Sequence, residues 1–563
     1  MSYQRLAAVT LAVALCFTQG RSQTMDDLSG SGDTSGATVK QWAIAYGSGS
    51  LSGLIVPNTS GSGYYLSAIQ PNSYKGQDTI FAALDASGGV TWAKEIDWST
   101  SEKDSFTVKP LSDGFLVTGV AQSSKTPNQN QLIWAKFDQN WKQVYANSFS
   151  GSGIITTGSF NSTSDGGLLF TGTLVIDAGT VLTCANTIIF KLNSAGTMLW
   201  KNVLEYSCVD VAGPMVEVKD GYIVAGVMGD PVTKIPAVFL MKHSKTGAGI
   251  LWTKRYAVNF GAGSITLNFP GVVSALKQLS DGNLLIVGTT HEMNPVLGGN
   301  DALLLKVEPA GGGILWQNLY GSKSVSVGSQ NVIENSDKSL LVSGSAADLK
   351  TNNFSIVAFK VTSSGAVGTQ VRIGSSSDNN LGLVMATKSG SFYLTGWHSK
   401  SLADTGTQAI WGTVNSTKLT PTWLKTFSGS SGIEVALATT TGFFVTGGTT
   451  TYGPNAAKGN VFGMVLDSSG NYANCHVSPL TLTVTNPGIT WTPAALVVDT
   501  PQLKALTEGK VAGTTLPVTK ATLKSTVICP AIMAQLAGDD PDDSLIPGAS
   551  CDQEAADPSE PER

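Results

Sequence analysis

The feature that most constrains this chain is a short apolar run that ends in glycine and recurs at a fixed interval. The copies GFLVTG, GGLLFTG, GYIVAG, GNLLIVG, KSLLVSG, GSFYLTG and GFFVTG end at Gly119, Gly172, Gly226, Gly288, Gly344, Gly396 and Gly447. An earlier copy, GYYLSA (63–68), lacks the final glycine. A period of roughly 50 to 60 residues is typical of repeat architectures. This series of runs, which we call the glycine ladder, therefore predicts eight units of one kind.

A tryptophan series runs in step with this ladder. A tryptophan follows a turn at Trp92, Trp141, Trp200, Trp252, Trp316 and Trp423, and the copy at 363–375 has lost it. An aromatic residue stands four positions later in Trp141/Tyr145, Trp252/Tyr256, Trp316/Tyr320 and Trp423/Phe427. Residues four apart on a strand project from the same face. The pattern favours packing of one unit against the next over stacking on a ligand.

Each unit contains four strand-like runs. The unit around residue 301 reads GVVSALKQL, NLLIVGTT, DALLLKV and ILWQNLY, separated by Gly, Asp and Ser turns. Alternating, β-branched runs of this length predict strands. Four strands repeated eight times predict an all-β, eight-bladed β-propeller of four-stranded blades. Seven blades are the alternative.

The N-terminal run KQWAIAYGS (40–48) predicts how the ring closes. It carries Trp42 and Tyr46 at the motif spacing, although no complete unit precedes it, and the last unit has Tyr472 at the expected tryptophan position. We predict that 40–48 is the outermost strand of the last blade, because such closure pairs both sheet edges. In the rival arrangement, 472–478 fills that place and 40–48 lies elsewhere.

The remaining segments predict export. Residues 1–20 combine Arg5, an apolar core and small residues, as in a signal peptide, although Cys16 as a lipidated residue is a second interpretation. A flexible linker (21–39), the propeller (40–476), a Thr/Val-rich extension (477–530) and an acidic, Pro-rich disordered tail (531–563) follow. An acidic Ca²⁺ loop is the alternative for the tail. No transmembrane segment is expected, and we predict a secreted protein, extracellular or at the cell surface, with the periplasm second.

The low charge of the chain argues against one class of partner. Charged residues make up 13% of the sequence and the net charge is -5, whereas about 25% is usual for a soluble domain. Nucleic-acid binding needs a basic patch. We therefore expect no nucleic acid among the partners.

The connections between strands point to one rim of the ring. With the strands of a blade named A to D from the axis outward, the A–B and C–D turns are short and share a rim. The B–C loops and D–A crossovers share the other, and the B–C loops are long and dissimilar. Variable loops on a rigid scaffold are where binding usually resides. The candidate binding residues on this rim are His291, Glu292, Trp397, His398 and Tyr452, the two histidines being more simply explained as solvent-facing loop residues.

Five cysteines lie beyond the predicted signal peptide. Cys184 and Cys208 both fall on the loop rim, and Cys475 and Cys529 bracket the Thr/Val-rich segment. In an exported protein, scattered cysteines favour disulfides over metal ligands. We predict the pairs 184–208 and 475–529, the second stapling the C-terminal segment onto the propeller, with Cys551 left over.

Recognisable catalytic motifs are not evident. No GxSxG, HExxH, P-loop or dinucleotide fingerprint stands in a convincing context, and the acids of the B–C loops are too few to nominate a catalytic pair. No catalytic residue, metal ligand or cofactor is predicted. Calcium or pyrroloquinoline quinone enters only if the protein is an enzyme.

The motifs DGGLLFTG (165–172), FKLNSAGTMLW (190–200) and W-x-x-x-Y-G-S (316–322) resemble the secreted bacterial β-propeller repeat family. The resemblance covers roughly 40–476 and implies the fold and export, but no catalytic residue. More remotely, LDASGGVTW (84–92) is similar to the Trp-docking motif of the eight-bladed quinoprotein dehydrogenases. Their vicinal Cys-Cys pair has no counterpart in this chain.

Three functions follow in order of preference. The first is an exported, non-enzymatic propeller that binds a protein or a polysaccharide through the loop rim. The second is a propeller enzyme, quinoprotein-like or carbohydrate-active. The third is a structural subunit of an extracellular complex or filament.

Overall fold

The structure is a computed structural model that describes residues 41–529 apart from connecting segments, the longest of which are 259–272 and 291–299. All regular elements among the described residues are β-strands. The described residues contain no helix that is long and apolar enough to cross a membrane. The chain divides into two units, Met1–Ile532 and Met533–Arg563, and everything described below lies in the first.

The strands of the repeat, in chain order, are β1 (Trp42–Tyr46), β2 (Gly53–Pro57), β3 (Tyr64–Pro71), β4 (Gln77–Leu84), β5 (Val90–Ile96), β6 (Lys103–Leu111), β7 (Gly114–Gln122), β8 (Asn130–Asp138), β9 (Gln143–Ser150), β10 (Ile154–Ser162), β11 (Leu168–Asp177), β12 (Thr183–Leu192), β13 (Met198–Glu205), β14 (Asp210–Val218), β15 (Gly221–Gly229), β16 (Pro236–Ser244), β17 (Ile250–Val258), β18 (Val273–Gln278), β19 (Leu284–Thr290), β20 (Asp301–Val307), β21 (Ile314–Gly321), β22 (Val325–Glu334), β23 (Leu340–Asp348), β24 (Phe354–Val361), β25 (Val367–Ile373), β26 (Asn379–Ala386), β27 (Phe392–Ser399), β28 (Gln408–Val414), β29 (Pro421–Phe427), β30 (Val435–Ala438), β31 (Phe443–Thr449) and β32 (Asn460–Leu466). The C-terminal segment adds β33 (Val477–Pro479), β34 (Val484–Thr485), β35 (Thr490–Pro493), β36 (Leu496–Asp499), β37 (Lys504–Leu506), β38 (Lys510–Gly513), β39 (Val518–Lys520) and β40 (Ser525–Cys529).

Eight small antiparallel sheets form a ring, which confirms the eight-bladed β-propeller and rules out seven blades. Blades 1 to 7 take strands A to D consecutively, from β2–β5 to β26–β29, and blade 8 consists of β30, β31, β32 and β1. Blades 1 and 2 are also linked by a single parallel pair, Gln77 with Lys103.

The glycine ladder lies in strand B, where it faces strand A closely. A Cβ on Gly396 would come within 2.1 Å of the carbonyl oxygen of Leu381, far inside van der Waals contact. Strand A therefore approaches strand B in a way that only glycine permits at this position. This contact explains why the ladder is so regular.

Where it is present, the tryptophan motif joins a blade to the next one. Trp42 is 2% exposed, and a Cβ on Gly88, in the C–D turn of blade 1, would lie 2.8 Å from its indole ring. Gly88 has φ 80°, and Tyr46, four residues after the tryptophan, donates its hydroxyl to the Gly88 carbonyl at 2.6 Å. The inter-blade packing predicted for the motif is therefore what the structure shows.

The same geometry repeats around the ring. Trp252 packs on Gly312 of the following blade, and Tyr256 donates to the carbonyl of that glycine at 2.6 Å. Tyr320 donates to the Gly365 carbonyl at 2.6 Å. The motif thus combines a buried ring with a buried hydrogen bond to the same turn.

The prediction for Trp141 was wrong in register. Tyr145, not Trp141, lies opposite Lys136 in the way that Trp200 lies opposite Lys191. Trp141 stands in the preceding C–D turn with φ 63° and stacks on Phe115 at 4.6 Å. Tyr145 therefore fills the docking position of blade 2, and a Cβ on Gly196 would contact its ring.

The N-terminal strand closes blade 8 as predicted, but it is the fourth strand of that blade and not the outermost, because β40 pairs with its other edge. Strand β1 pairs antiparallel with β32 from Trp42↔Val465 to Tyr46↔Val461, so the first described strand completes the last blade. The rival arrangement is wrong, because β33 starts at Val477 and pairs with blade 7.

The prediction of four strands per blade was wrong, because every blade has five. The fifth strand comes from the C-terminal segment, which we call the belt (residues 477–529). It runs against the blade order: β33 lies on blade 7, β34 to β39 follow on blades 6 to 1, and β40 ends on blade 8 beside β1. A short Thr/Val-rich strand has no core of its own, so it is stable only against an edge that it can extend.

Removing the Tyr256 hydroxyl tests the docking motif. Burial raises the pKa of Tyr256 far above its ordinary range, and Tyr256→Phe would leave the Gly312 carbonyl without this donor. We expect the free energy of unfolding to fall by about 1–2 kcal/mol, measured by urea denaturation. Tyr206→Phe, at a partly exposed tyrosine, is the control. Equal losses in both variants would contradict the proposed role of the hydrogen bond.

Candidate functional site

The two rims of the ring differ in how their connections are built. On the rim of A–B and C–D connections, which we call the turn rim, side chains cap the turns. The Asp85 carboxylate accepts backbone N–H bonds from Ser87 and Gly89 at 2.7 and 2.9 Å, and Asp467 accepts them from Ser469 and Asn471 in the same way. These acids serve the local fold of their turns.

Ion pairs also repeat along the turn rim. In blades 2 to 5 a lysine near the end of strand C pairs with an aspartate of the A–B turn, in Lys136–Asp113, Lys191–Asp165, Lys242–Asp220 and Lys306–Asp281. The N–O distances are 2.6 to 3.0 Å. In blades 2 to 5 these lysine and aspartate side chains are thus engaged within the blade.

The opposite rim, which we call the loop rim, carries the long connections. Its B–C segments include 230–235, 291–300, 349–353, 400–407 and 450–459, and its D–A crossovers include 259–272. The structure describes only parts of these segments. On this rim, apolar and aromatic residues occur on three consecutive blades, two of them in B–C segments and one near the end of a strand B.

These residues are Leu349 of blade 6, Trp397 of blade 7 and Tyr452 of blade 8, and we call them the blade 6–8 site. Leu349 is 41% exposed, and its backbone N–H donates to the Ser324 carbonyl at 3.1 Å. The Tyr452 ring is partly exposed and stacks on Phe427 at 5.9 Å. Exposed apolar groups held by an ordered backbone are typical of interaction surfaces.

Trp397 and His398 lie within strand β27, so the expectation that His398 is a solvent-facing loop residue was wrong. Trp397 is partly buried beside the 400–407 connection. His398 is only 9% exposed, and its Nδ1 lies 2.9 Å from Asn380 Oδ1. A buried, hydrogen-bonded imidazole of this kind orders the strand end. Trp397 stays in the candidate site, whereas His398 is buried and bonded to Asn380.

Two other predicted site residues, His291 and Glu292, lie outside the described residues. Their role at the loop rim stays a prediction. The structure therefore brings Trp397 and Tyr452 to the same rim, and it adds Leu349, which the sequence reasoning missed. The sequence carries no signal for it, because the exposure of Leu349 is known only from the structure.

The predicted disulfides can be placed only in part. Cys184 lies at the loop-rim end of β12, opposite Ile176. Cys529 is buried and ends the belt, where its carbonyl oxygen lies 3.4 Å from the Tyr472 hydroxyl. Cys208 and Cys475 lie outside the described residues, so both pairings stay predictions.

A charged cluster on the loop rim of blade 4 also escaped the sequence reasoning. Arg255 binds both carboxylate oxygens of Asp499 in the belt, with a shortest distance of 2.7 Å, and Asp230 at 3.1 Å. Burial raises the pKa of the neighbouring Asp210 to about 6, although Tyr206 and Ser207 donate backbone N–H bonds to its carboxylate. Arg372 and Asp348 form a matching pair in blade 6. The cluster connects the belt, strand D and the B–C segment.

In the part of the chain that the structure describes, no three His, Cys, Asp or Glu side chains lie close enough together to hold a metal ion. The charged residues above form ion pairs and cap turns. Neither a protein-family model nor a curated protein sequence matches the chain. The resemblance to secreted bacterial propellers stays a prediction.

Proposed function

We propose that this protein is an exported, non-enzymatic β-propeller that binds a protein partner through its loop rim. The observation that carries the proposal is the difference between the rims. The turn rim repeats one geometry whose charges are used internally, whereas the loop rim varies from blade to blade. Variable connections on a rigid scaffold are the usual location of binding residues.

The composition of the blade 6–8 site favours a protein over a polysaccharide. Leu349 offers an exposed aliphatic side chain, which suits an apolar contact but cannot stack on a sugar ring. The Tyr452 ring is already stacked on Phe427. Aromatic and apolar anchors surrounded by polar groups are typical of protein interfaces.

Export is supported by the apolar N-terminal segment (6–17) and its small-residue cleavage candidate. The N-terminal sequence of the protein recovered from the culture medium tests this part. A chain that begins near residue 21 supports export, and a chain retained inside the cell with its first residues contradicts it.

Leu349→Asp tests the binding site with a matched control. A charge in the centre of an interface commonly weakens binding by tenfold or more, so we expect at least that loss of affinity for a partner isolated from the native source. Leu199→Asp changes a similarly exposed leucine (55%) next to a C–D turn and should leave affinity unchanged. Binding is measured by surface plasmon resonance.

The result also separates the alternatives. Equal losses in the two variants would contradict a site on the loop rim. If an immobilised glycan retains the wild-type protein and retains Trp397→Ala less well, the partner is a polysaccharide and not a protein. If the wild-type protein has the native mass of several copies and only Leu199→Asp is monomeric, the hypothesis of a structural subunit of a complex or filament is favoured.

A further inference from the structure

The belt shows that the outer edges of all eight blades accept an extended segment. Its strands pair antiparallel with strand D over short stretches, such as Arg372↔Thr485 and Ile373↔Val484 in blade 6. The pairing covers the loop-rim half of each D strand, for example Asn318–Gly321 of β21. Strand addition of this kind gives affinity through main-chain hydrogen bonds and specificity through side-chain pockets.

The side-chain pockets lie between the blades. Connections between belt strands place Ile489 and Leu516, each 2% exposed, in the cores of the blades, and Leu523 is 8% exposed. Leu516 and Leu523 stand seven residues apart, as do Leu482 and Ile489. Aliphatic residues thus anchor the belt in these two stretches, with seven residues between the members of each pair.

Two glutamines of strand D clamp the belt at these anchors. Gln370 donates its side-chain N–H to the Ile489 carbonyl at 3.0 Å and accepts the Ile489 N–H at 2.5 Å. Gln143 donates to the Thr514 carbonyl at 3.2 Å and accepts the Leu516 N–H at 3.0 Å. In both places a side-chain amide donates one hydrogen bond to the belt backbone and accepts another from it, as the backbone of a neighbouring strand would.

Between these anchors and the buried Cys529, much of the belt is exposed. All four residues of β38 are exposed, and Val498, Val511 and Val527 are 41%, 40% and 60% exposed. The largest buried side chains belong to strands A to D. The blades thus have their own cores, and the belt adds anchors and an outer layer of hydrogen bonds.

We propose that the outer edges of the blades form one encircling peptide-binding site, which the chain's own residues 477–529 occupy as a belt that can leave and rebind while the ring stays folded. Its ligand class is an extended polypeptide of β-strand-forming residues with an aliphatic anchor about every seven residues. The belt of a second copy of this chain has this chemistry and fits the same site.

Hydrogen exchange of the full-length protein tests separability without any substitution. We expect the backbone amides of β33 to β40 to exchange at least tenfold faster than those of strands B and C, because a segment that opens locally exchanges independently of the core. A reductant is present, since the predicted Cys475–Cys529 bond would hold the ends of the belt together. Equal protection of the belt and of strands B and C would overturn the proposal.

Capture of a peptide tests the site itself. Ile489→Asp places a carboxylate in an apolar pocket and weakens the resident belt, whereas Val511→Asp changes an exposed belt residue and is the control. A labelled synthetic peptide of residues 481–528, which contains no cysteine, should bind the Ile489→Asp protein at least tenfold more than the Val511→Asp protein. Equal or undetectable uptake by both would overturn the proposal.

A less disruptive variant tests the proposal if Ile489→Asp does not fold. Leu516→Ala removes part of a second anchor without adding charge, and we expect it to speed the exchange of β38 and β39 more than that of β7 and β8. Loss of protection in all four strands together would show that belt and ring open as one unit, which contradicts the proposal.

Discussion

Replacing Trp42 by alanine should lower the free energy of unfolding by about 3–5 kcal/mol. The indole is 2% exposed and lies edge-on to Tyr64 at 5.1 Å and near Phe444 at 6.0 Å. Tyr64 belongs to blade 1 and Phe444 to blade 8, so the substitution opens a cavity where the ring closes. Urea denaturation followed by far-ultraviolet circular dichroism measures the loss.

Trp491→Ala is the matched control for this experiment. Trp491 lies in belt strand β35 and is 42% exposed, so its removal leaves no closed cavity and should cost about 1 kcal/mol or less. If the two variants lose the same free energy, the indole of Trp42 does not hold the first and last blades together.

The free energy of unfolding of the wild-type protein, minus that of Asp301→Asn, should rise by about 2–3 kcal/mol when the pH is lowered from 8 to 5. Burial raises the pKa of Asp301, which begins β20 and is 0% exposed, from 3.8 to about 7. Between these values the folded state binds a proton that the unfolded state does not. Its stabilising effect is therefore full below pH 3.8 and lost as the pH rises through 7.

Other buried groups titrate in the same range, so the difference between variant and wild type is the quantity to measure. Burial raises the pKa of Asp210 to about 6 and acts in the same direction. Burial lowers the pKa of His243 to about 4, so this histidine destabilises the folded state as the pH falls below 6.5. Both contributions are common to the two proteins and cancel in the difference.

Asp165→Asn is the control for the pH experiment. Although burial acts in the opposite direction, hydrogen bonds from Thr163 and Lys191 lower the pKa of Asp165 to about 2. This carboxyl is ionised in both states from pH 8 to pH 5, so its removal should leave the pH dependence unchanged. A flat difference for Asp301→Asn over the same range would show that its carboxyl does not take up a proton on folding.

The blades and their closure could be predicted from sequence because local rules repeat. The strand B glycines are fixed by a close approach to strand A, as at Gly396, and a constraint imposed in each repeat leaves a ladder. The N-terminal strand was predicted because Trp42 and Tyr46 keep the motif spacing without a unit of their own.

The error at Trp141 shows where residue identity misleads. Lys136 stands nine residues before Tyr145, as Lys191 stands nine before Trp200, and that spacing reflects the cross-strand pair. Alignment on the tryptophan alone ignores it. The C–D turn of blade 2 holds Trp141 at a positive φ where blades 1 and 3 carry Gly88 and Gly196 and blade 7 carries Leu419. The docking position of blade 2 is filled by Tyr145 instead of a tryptophan.

The fifth strand of each blade could not be predicted by the same rules. The belt strands are two to five residues long and have no alternation long enough to predict a partner. The remaining signal is the repeated aliphatic anchor, such as Ile489 and Leu516, which matters only once the inter-blade pockets are known. The exposure of Leu349 and the burial of His398 likewise depend on tertiary contacts.

The pairing of Trp42 with Val465 has a consequence for synthesis. The ribosome makes the chain from the N-terminus, and domains acquire structure as they emerge. Strand β1 leaves the ribosome first, yet its neighbour β32 is more than four hundred residues away, and β40 is later still. During translation, strand β1 therefore stays without both of its neighbouring strands until β32 and then β40 have been synthesised.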